Sequence, residues 1–148
     1  MTTIDIELYG DIHVSGDLDL YVKRSFSLNS DINLDFFKDN KLILQTKFNK
    51  LKPYSRVNIC FQDLHVPVSL AHKDKTWEWG GNWLSISHNW FYFISSKLCS
   101  ISYNNKFLLN INRKNTTLSL KIDSLDDELL LNLVLFLIVH YSDIDGGE

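Results

Sequence analysis

The chain reads as a mainly β protein, an antiparallel meandering barrel of about ten to twelve strands wrapped around one buried hydrophobic C-terminal helix. Three observations lead there. From Asp17 to about Asp123, apolar and polar residues alternate with the period of two that a half-buried strand requires. The runs are joined by short turns with no helix between them, and parallel pairing needs crossovers of about a dozen residues or more. Finally, "SLDDELLLNLVLFLIVHYSD", residues 124 to 143, is the most apolar stretch of the chain and shows no polar stripe. A helix apolar all round is covered on every side. So many strands in one small domain close into a barrel or stack as a sandwich, and a barrel filled by the helix satisfies both demands.

The elements follow in order. "DLDLYVKRSF" sets Leu18, Leu20 and Val22 against polar neighbours, and "INLDFFKD" does the same with Ile32, Leu34 and Phe36. Asp39-Asn40 suits a tight hairpin into "KLILQTKFN", because Asn tolerates positive φ. "YSRVNICFQ" places Val57, Ile59 and Phe61 on one face. "LHVPVSLAHK" holds Pro67, which cannot donate to a ladder and puts this strand at an edge or beside a bulge. "KTWEWGGNWLSIS" breaks at Gly80-Gly81, where close backbone approach is expected, and Asn104-Asn105 marks a further hairpin before "KFLLNINRK" and "TTLSLKID".

In the last segment Ser124 is placed to cap the helix, with Asp127 three residues on completing a capping box. Asp126, Asp127 and Glu128 favour the positive end of the helix dipole. From Leu129 to Val139 Asn132 is the one polar residue, and the run is too short for the roughly 20 apolar residues of a membrane span. The layout is a single domain over 1–148: barrel about 4–123, helix about 125–141, short acidic tail 142–148.

The 148-residue chain is 45% hydrophobic and 22% charged, which is a folded and not a disordered composition. Its net charge of −3 gives no general attraction for nucleic acid, so none is expected as a partner. Cys60 and Cys99 sit in apolar runs and are expected as free buried thiols. "MTTIDIELYG" lacks the basic and apolar regions of a secretory signal, so a cytoplasmic product is expected.

At this point a family resemblance enters. "YVKRSFSLNSDINLDFFKDNKLILQTKFNKL", headed by Lys23-Arg24-Ser25-Phe26-Ser27-Leu28, resembles the repeated unit of the LURP-one-related proteins. "CSISYNNKFLLNINRKNTTLSLKIDSLDDELLLNLVLFLIVHY" is similar to that family's last hairpin, strand and helix. The fold so implied is the tubby C-terminal-like barrel, shared with tubby proteins and phospholipid scramblases. The turns "KDNK" and "YNNK" carry no glycine where the family's hairpins usually have one.

Two candidate surfaces come from the residues. Lys23, Arg24, Lys47, Lys50, Lys52 and Arg56 form a basic cluster, and "TKFNKLKPYSR" contains no acid. Lys and Arg donate to phosphate oxygens, and the tubby branch implies a basic surface for a phosphoinositide headgroup. The plain alternative is a solvated turn. The segment 77–93 holds Trp77, Trp79, Trp83 and Trp90, whose rings suit a partner surface if exposed, or core packing and a barrel-end plug if not. His13, His65, His72, His88 and His140 show no close metal-ligand spacing, so no metal or cofactor is expected. No phosphate-cradling loop, nucleophile elbow or Cys–His pairing is present, so no enzymatic activity is expected. The expected function is a non-enzymatic binding module, for an anionic phospholipid headgroup or a partner at the cytoplasmic membrane face. The alternative is a soluble protein–protein adaptor using 77–93.

Overall fold

A computed structural model describes residues 2–49, 56–88, 97–123 and 126–142. The described chain forms β1 (Thr2–Glu7), β2 (Ile12–Gly16), β3 (Leu20–Phe26), β4 (Asp31–Lys38), β5 (Lys41–Asn49) and β6 (Asn58–Gln62). It continues as β7 (Val68–Ala71), β8 (Thr76–Trp79), β9 (Asn82–His88), β10 (Lys97–Tyr103), β11 (Lys106–Lys114), β12 (Thr117–Ile122) and the helix α1 (Asp127–Tyr141). All described pairings are antiparallel, in the order β6-β5-β4-β3-β2-β1-β12-β11-β10-β9-β8-β7. The first strand closes on the last, with Thr2 opposite Ile122 and Ile6 opposite Leu118. β6 and β7 are the two edges, and the barrel is nearly closed. The edge position expected from Pro67 is where β7 lies.

The helix occupies the lumen. Leu129, Leu130 and all residues from Asn132 to Val139 are buried, and Leu131 is partly buried, so the helix has no polar solvent face beyond its first turn. It is tied to opposite walls: Trp77 of β8 packs on Phe136, while Arg24 of β3 donates to the backbone carbonyl of Ser142, just past the last turn. The one polar residue in the run has a specific role. Asn132 accepts the indole N–H of Trp77 at 2.9 Å and donates to the Glu128 carbonyl at 2.9 Å. At 15 residues the helix is about 22 Å long, short of a bilayer's roughly 30 Å hydrocarbon core. No described helix is long and apolar enough to cross a membrane.

Turn chemistry follows the sequence closely. Asp39 and Asn40 take φ of 52° and 63°, and Asn104 and Asn105 take 50° and 69°, the left-handed pair that a two-residue hairpin demands. Short polar side chains thus replace glycine. Gly80-Gly81 is a third such turn, and close approach is confined to its first residue: a Cβ on Gly80 would lie 3.2 Å from Val66 Cγ1, whereas one on Gly81 would meet nothing within 4 Å. Close approach occurs instead at Gly16, where a Cβ would lie 2.2 Å from the Thr3 carbonyl oxygen.

Several sequence expectations shift. Among the described residues the first strand begins at Thr2, and the twelve strands fall within the expected ten to twelve. The helix cap is Asp126, whose carboxylate accepts the Leu129 N–H at 2.7 Å; Ser124 and Leu125 lie outside the described residues. Cys99 is buried but Cys60 is exposed. Alternation from Ile59 already turns Cys60 outward, and a bulge there, with Gln45 facing Phe61 and Thr46 facing Ile59, turns Phe61 outward as well. A matching bulge at Ile43 lets two successive residues, Ile43 and Leu44, face inward.

Truncating Phe136 to Ala empties the centre of the lumen and should lower unfolding free energy by about 3–5 kcal/mol in urea titrations. Asn132→Leu leaves the Trp77 N–H buried without an acceptor and should lower it by about 1–3 kcal/mol.

Candidate functional site

Because the strands alternate in direction, the turns fall at two ends of the barrel. The helix start shares its end with residues 17–19, 39–40, 63–67, 80–81 and 104–105. The helix terminus shares the other with 8–11, 27–30, 72–75 and 115–116, as bonds from Arg24 to Ser142, His140 to Asp74 and Leu8 to Thr116 confirm. Acids are in excess at the first end, which also holds Lys38, Lys41 and Lys106, with Lys41 paired to Asp63 at 2.9 Å, and cations are in excess at the second. Asp17, Asp19, Asp39, Asp126, Asp127 and Glu128 lie at the first, where they complement the positive end of the helix dipole. Arg24, Lys47, Arg56, Lys73, Lys75 and Lys114 lie at the second.

Acids at the basic end are engaged. Burial opposes ionisation of Glu7, but the hydroxyls of Thr116 and Thr117 and the Tyr9 N–H hold its carboxyl below the usual range. The Tyr21 phenol, then the Arg24 N–H, do the same for Asp11. The amide of Asn49, ahead of the Lys47 ammonium at 3.3 Å, lowers Asp31. The carboxylate of Asp74 accepts the Val57 N–H at 2.9 Å. The tail after Ser142 adds Asp143, Asp145 and Glu148 to the sequence here, outside the described residues.

The six basic residues singled out in sequence separate. Lys23 and Lys47 point outward from β3 and β5 and are exposed. Arg24 is half-buried and faces away from Lys23. Strand alternation turns it inward beside Val22, where its guanidinium donates to the carbonyls of Ser142 and Leu8, each at 2.7 Å. It ties the C-terminal end of the helix to the barrel wall. Lys50 and Lys52 lie outside the described residues. Arg56 is exposed and lines a groove of about 210 Å³ with Phe48, Lys73, His140 and Ser142.

The tryptophans do not form a shared exposed face. Trp77 and Trp79 point into the lumen and are buried; Trp79 stacks on Tyr103 at the helix-start end, ring centroids 6.0 Å apart. Trp83 is half-buried, and Trp90 lies outside the described residues. Among the described residues, no three His, Cys, Asp or Glu side chains gather where they could hold a metal ion.

Two features escaped the sequence reading. The first is the turn His72-Lys73-Asp74, with φ of 52°, 58° and 64°, three successive non-glycine residues in the left-handed region. Such a run costs about 1–2 kcal/mol per residue and persists where its surroundings enforce it. Here Asp74 is held from both sides, its carboxylate by Val57 and its carbonyl by Nε2–H of His140. The polar run "HKDK" between two strands was the available signal. The second is the β3–β4 turn, where Leu28 is fully exposed and Phe26 is 57% exposed. Phe26, the last residue of β3, has the inward parity of Val22 and Arg24 yet is exposed, although its partner Ile32 is buried.

Beside the helix terminus His88 packs on His140 and Tyr141, and its Nδ1 accepts the Tyr141 hydroxyl at 2.9 Å. Burial, then the nearby Lys75, hold His88 below its ordinary pKa. Burial pushes the Cys99 thiol up to about 11, so it stays protonated and inert at neutral pH.

Compared with known family models, curated proteins and solved structures, the chain matches none of them.

Arg24→Met should lower stability by about 1.5–3 kcal/mol through its charged hydrogen bonds, while Lys23→Met next to it should change it by less than about 0.5 kcal/mol. As pH falls, the unfolded chain protonates near its ordinary value of about 6.5, before His88 does in the fold. Stability contributed by neutral His88 is therefore complete above that value and is lost on descent toward the lower folded one. Thermal midpoints measured from pH 7.5 to 5.5 should fall more steeply for the wild type than for His88→Gln.

Proposed function

We propose that this protein is a non-enzymatic binding module that docks the helix-terminus end of its barrel on an anionic phospholipid surface. The observation that carries this reading is the combination at one rim: exposed apolar side chains of Phe26 and Leu28 on a turn, and the cations Lys47, Arg56 and Lys73 on the strands and turns around it. An apolar tip enters the headgroup boundary, while the cations answer the negative surface potential at about 1 kcal/mol each. Tyr9, 63% exposed in the β1–β2 turn, sits at the same end and has the amphipathic ring favoured at such boundaries. Arg56 and Lys73 supply donors for a headgroup phosphate.

The LURP-one and tubby C-terminal-like resemblance supports the same reading, since the barrel and its central helix agree with that architecture and the tubby branch binds phosphoinositide headgroups. Membership of that family is part of this proposal. The adaptor reading through residues 77–93 loses its basis at Trp77 and Trp79, which face the lumen.

Flotation with phosphatidylcholine vesicles, with and without phosphatidylserine or a phosphoinositide, tests it. Binding should require the anionic lipid and weaken as salt rises. The double change Phe26→Ser with Leu28→Ser should abolish flotation, and Lys73→Glu should reduce affinity by about tenfold or more. Equal flotation with neutral vesicles, or by the double variant, would sink the proposal.

A further inference from the structure

The two edge strands face each other across a seam, and one side chain stands in for a missing strand. Gln62, at the end of β6, donates its amide N–H to the Val68 carbonyl at 3.1 Å and accepts the Val68 N–H at 2.7 Å. Two opposed bonds to a single residue are what directly facing residues of antiparallel strands exchange. Val68 thus turns both backbone groups away from β8, and the two-residue period of a strand turns those of Leu70 the same way. Among the described residues, no hydrogen bond from either Leu70 group crosses the seam. Five residues join β6 to β7 beside Gln62, and at the far end the Asp74 side chain bridges to the Val57 N–H.

The resulting groove, about 510 Å³, has apolar walls from Ile59, Val68 and Leu70, with Arg56 and Lys73 at its open end. Its one carboxylate, Asp74, accepts the Val57 N–H and is outnumbered by the two cations, so the mouth keeps a positive excess that favours an incoming anion. The occupant must satisfy backbone groups as well as apolar walls. An acyl chain would cover the Leu70 N–H and carbonyl without bonding them, an unfavourable burial that a peptide avoids.

We propose that the seam accepts an extended segment of a partner protein as an added strand, antiparallel to β7. Such a strand runs inward from the cationic mouth. An acidic residue nearer its N-terminus then meets Arg56 and Lys73, and an apolar residue two positions on exchanges both backbone bonds with Leu70. The next apolar residue replaces the Gln62 amide at Val68. Main-chain bonds supply affinity and the alternate side chains supply selectivity, as in other cases of strand addition.

The probe is an N-acetylated, C-amidated, fluorescein-labelled peptide of glutamate, threonine, valine, threonine, valine and threonine, titrated with the full chain and read by anisotropy. Saturable binding is expected, weakened about tenfold or more when the first valine is N-methylated and cannot donate to Leu70. Gln62→Met, shown folded by circular dichroism, should bind more tightly because its side chain no longer competes for Val68. The Phe26→Ser, Leu28→Ser protein should bind the peptide as the wild type does, which separates this seam from vesicle docking. No saturable binding by wild type and Gln62→Met, or equal affinity for the N-methylated peptide, would overturn the proposal. So would displacement by laurate with no sensitivity to N-methylation.

Discussion

A helix with no polar face is the constraint on which this molecule rests. Ordinary amphipathic helices need a wall on one side, but α1 buries Leu130, Val134, Leu135, Phe136 and Ile138 in different directions at once. Nothing smaller than a surrounding sheet provides that cover. With its side chains a helix is about 10–12 Å across, which sets the minimum lumen and requires a sheet long enough to encircle it. The inward residues of every strand, from Ile4 to Leu120, are therefore selected by one common neighbour. Trp77 and Asn132 add direction to this greasy contact. Their single hydrogen bond fixes the rotation and depth of the helix, which apolar packing alone would leave less defined.

Encirclement leaves the problem of two strand edges. The chain handles it with side chains instead of a continuous ladder: Gln62 at one point and Asp74 at another. Pro67 just before β7, the four-residue length of β7 and the bulge at Cys60 all discourage uncontrolled pairing of those edges. Polarity along the barrel axis arises from the same arrangement. The acidic end complements the helix N-terminus, and at the basic end Arg24 meets the terminal carbonyl. The net charge of −3 averages over these two ends and conceals both.

Legibility in the sequence followed the range of the interaction. Alternation identified the strands, Asp39-Asn40 and Asn104-Asn105 identified their turns, and the apolar run identified the central helix, because each depends on neighbours a few residues away. Bulges were hidden, since an extra residue in one strand is defined by its partner; Phe61 was assigned the wrong face for that reason. Arg24 illustrates the site problem. Beside Lys23 it read as half of a basic pair, yet its partners lie 118 and 16 residues away. Tryptophan content likewise announced large rings without saying on which side of the wall they stood. Charge clustering in sequence captured Arg56 and missed Lys73, whose proximity exists because β6 and β7 are the barrel's facing edges.

The pairing of β1 with β12 also governs how the molecule comes into being. Thr2 meets Ile122, and the filling of the barrel follows still later in the chain. During synthesis the early strands have neither their closing neighbour nor their core, so their inward faces wait exposed until β12 and α1 have emerged. Such contacts between distant parts of a chain make folding slow and favour aggregation before completion. The architecture that hides its most apolar segment so thoroughly thus depends on a terminal step that inserts it.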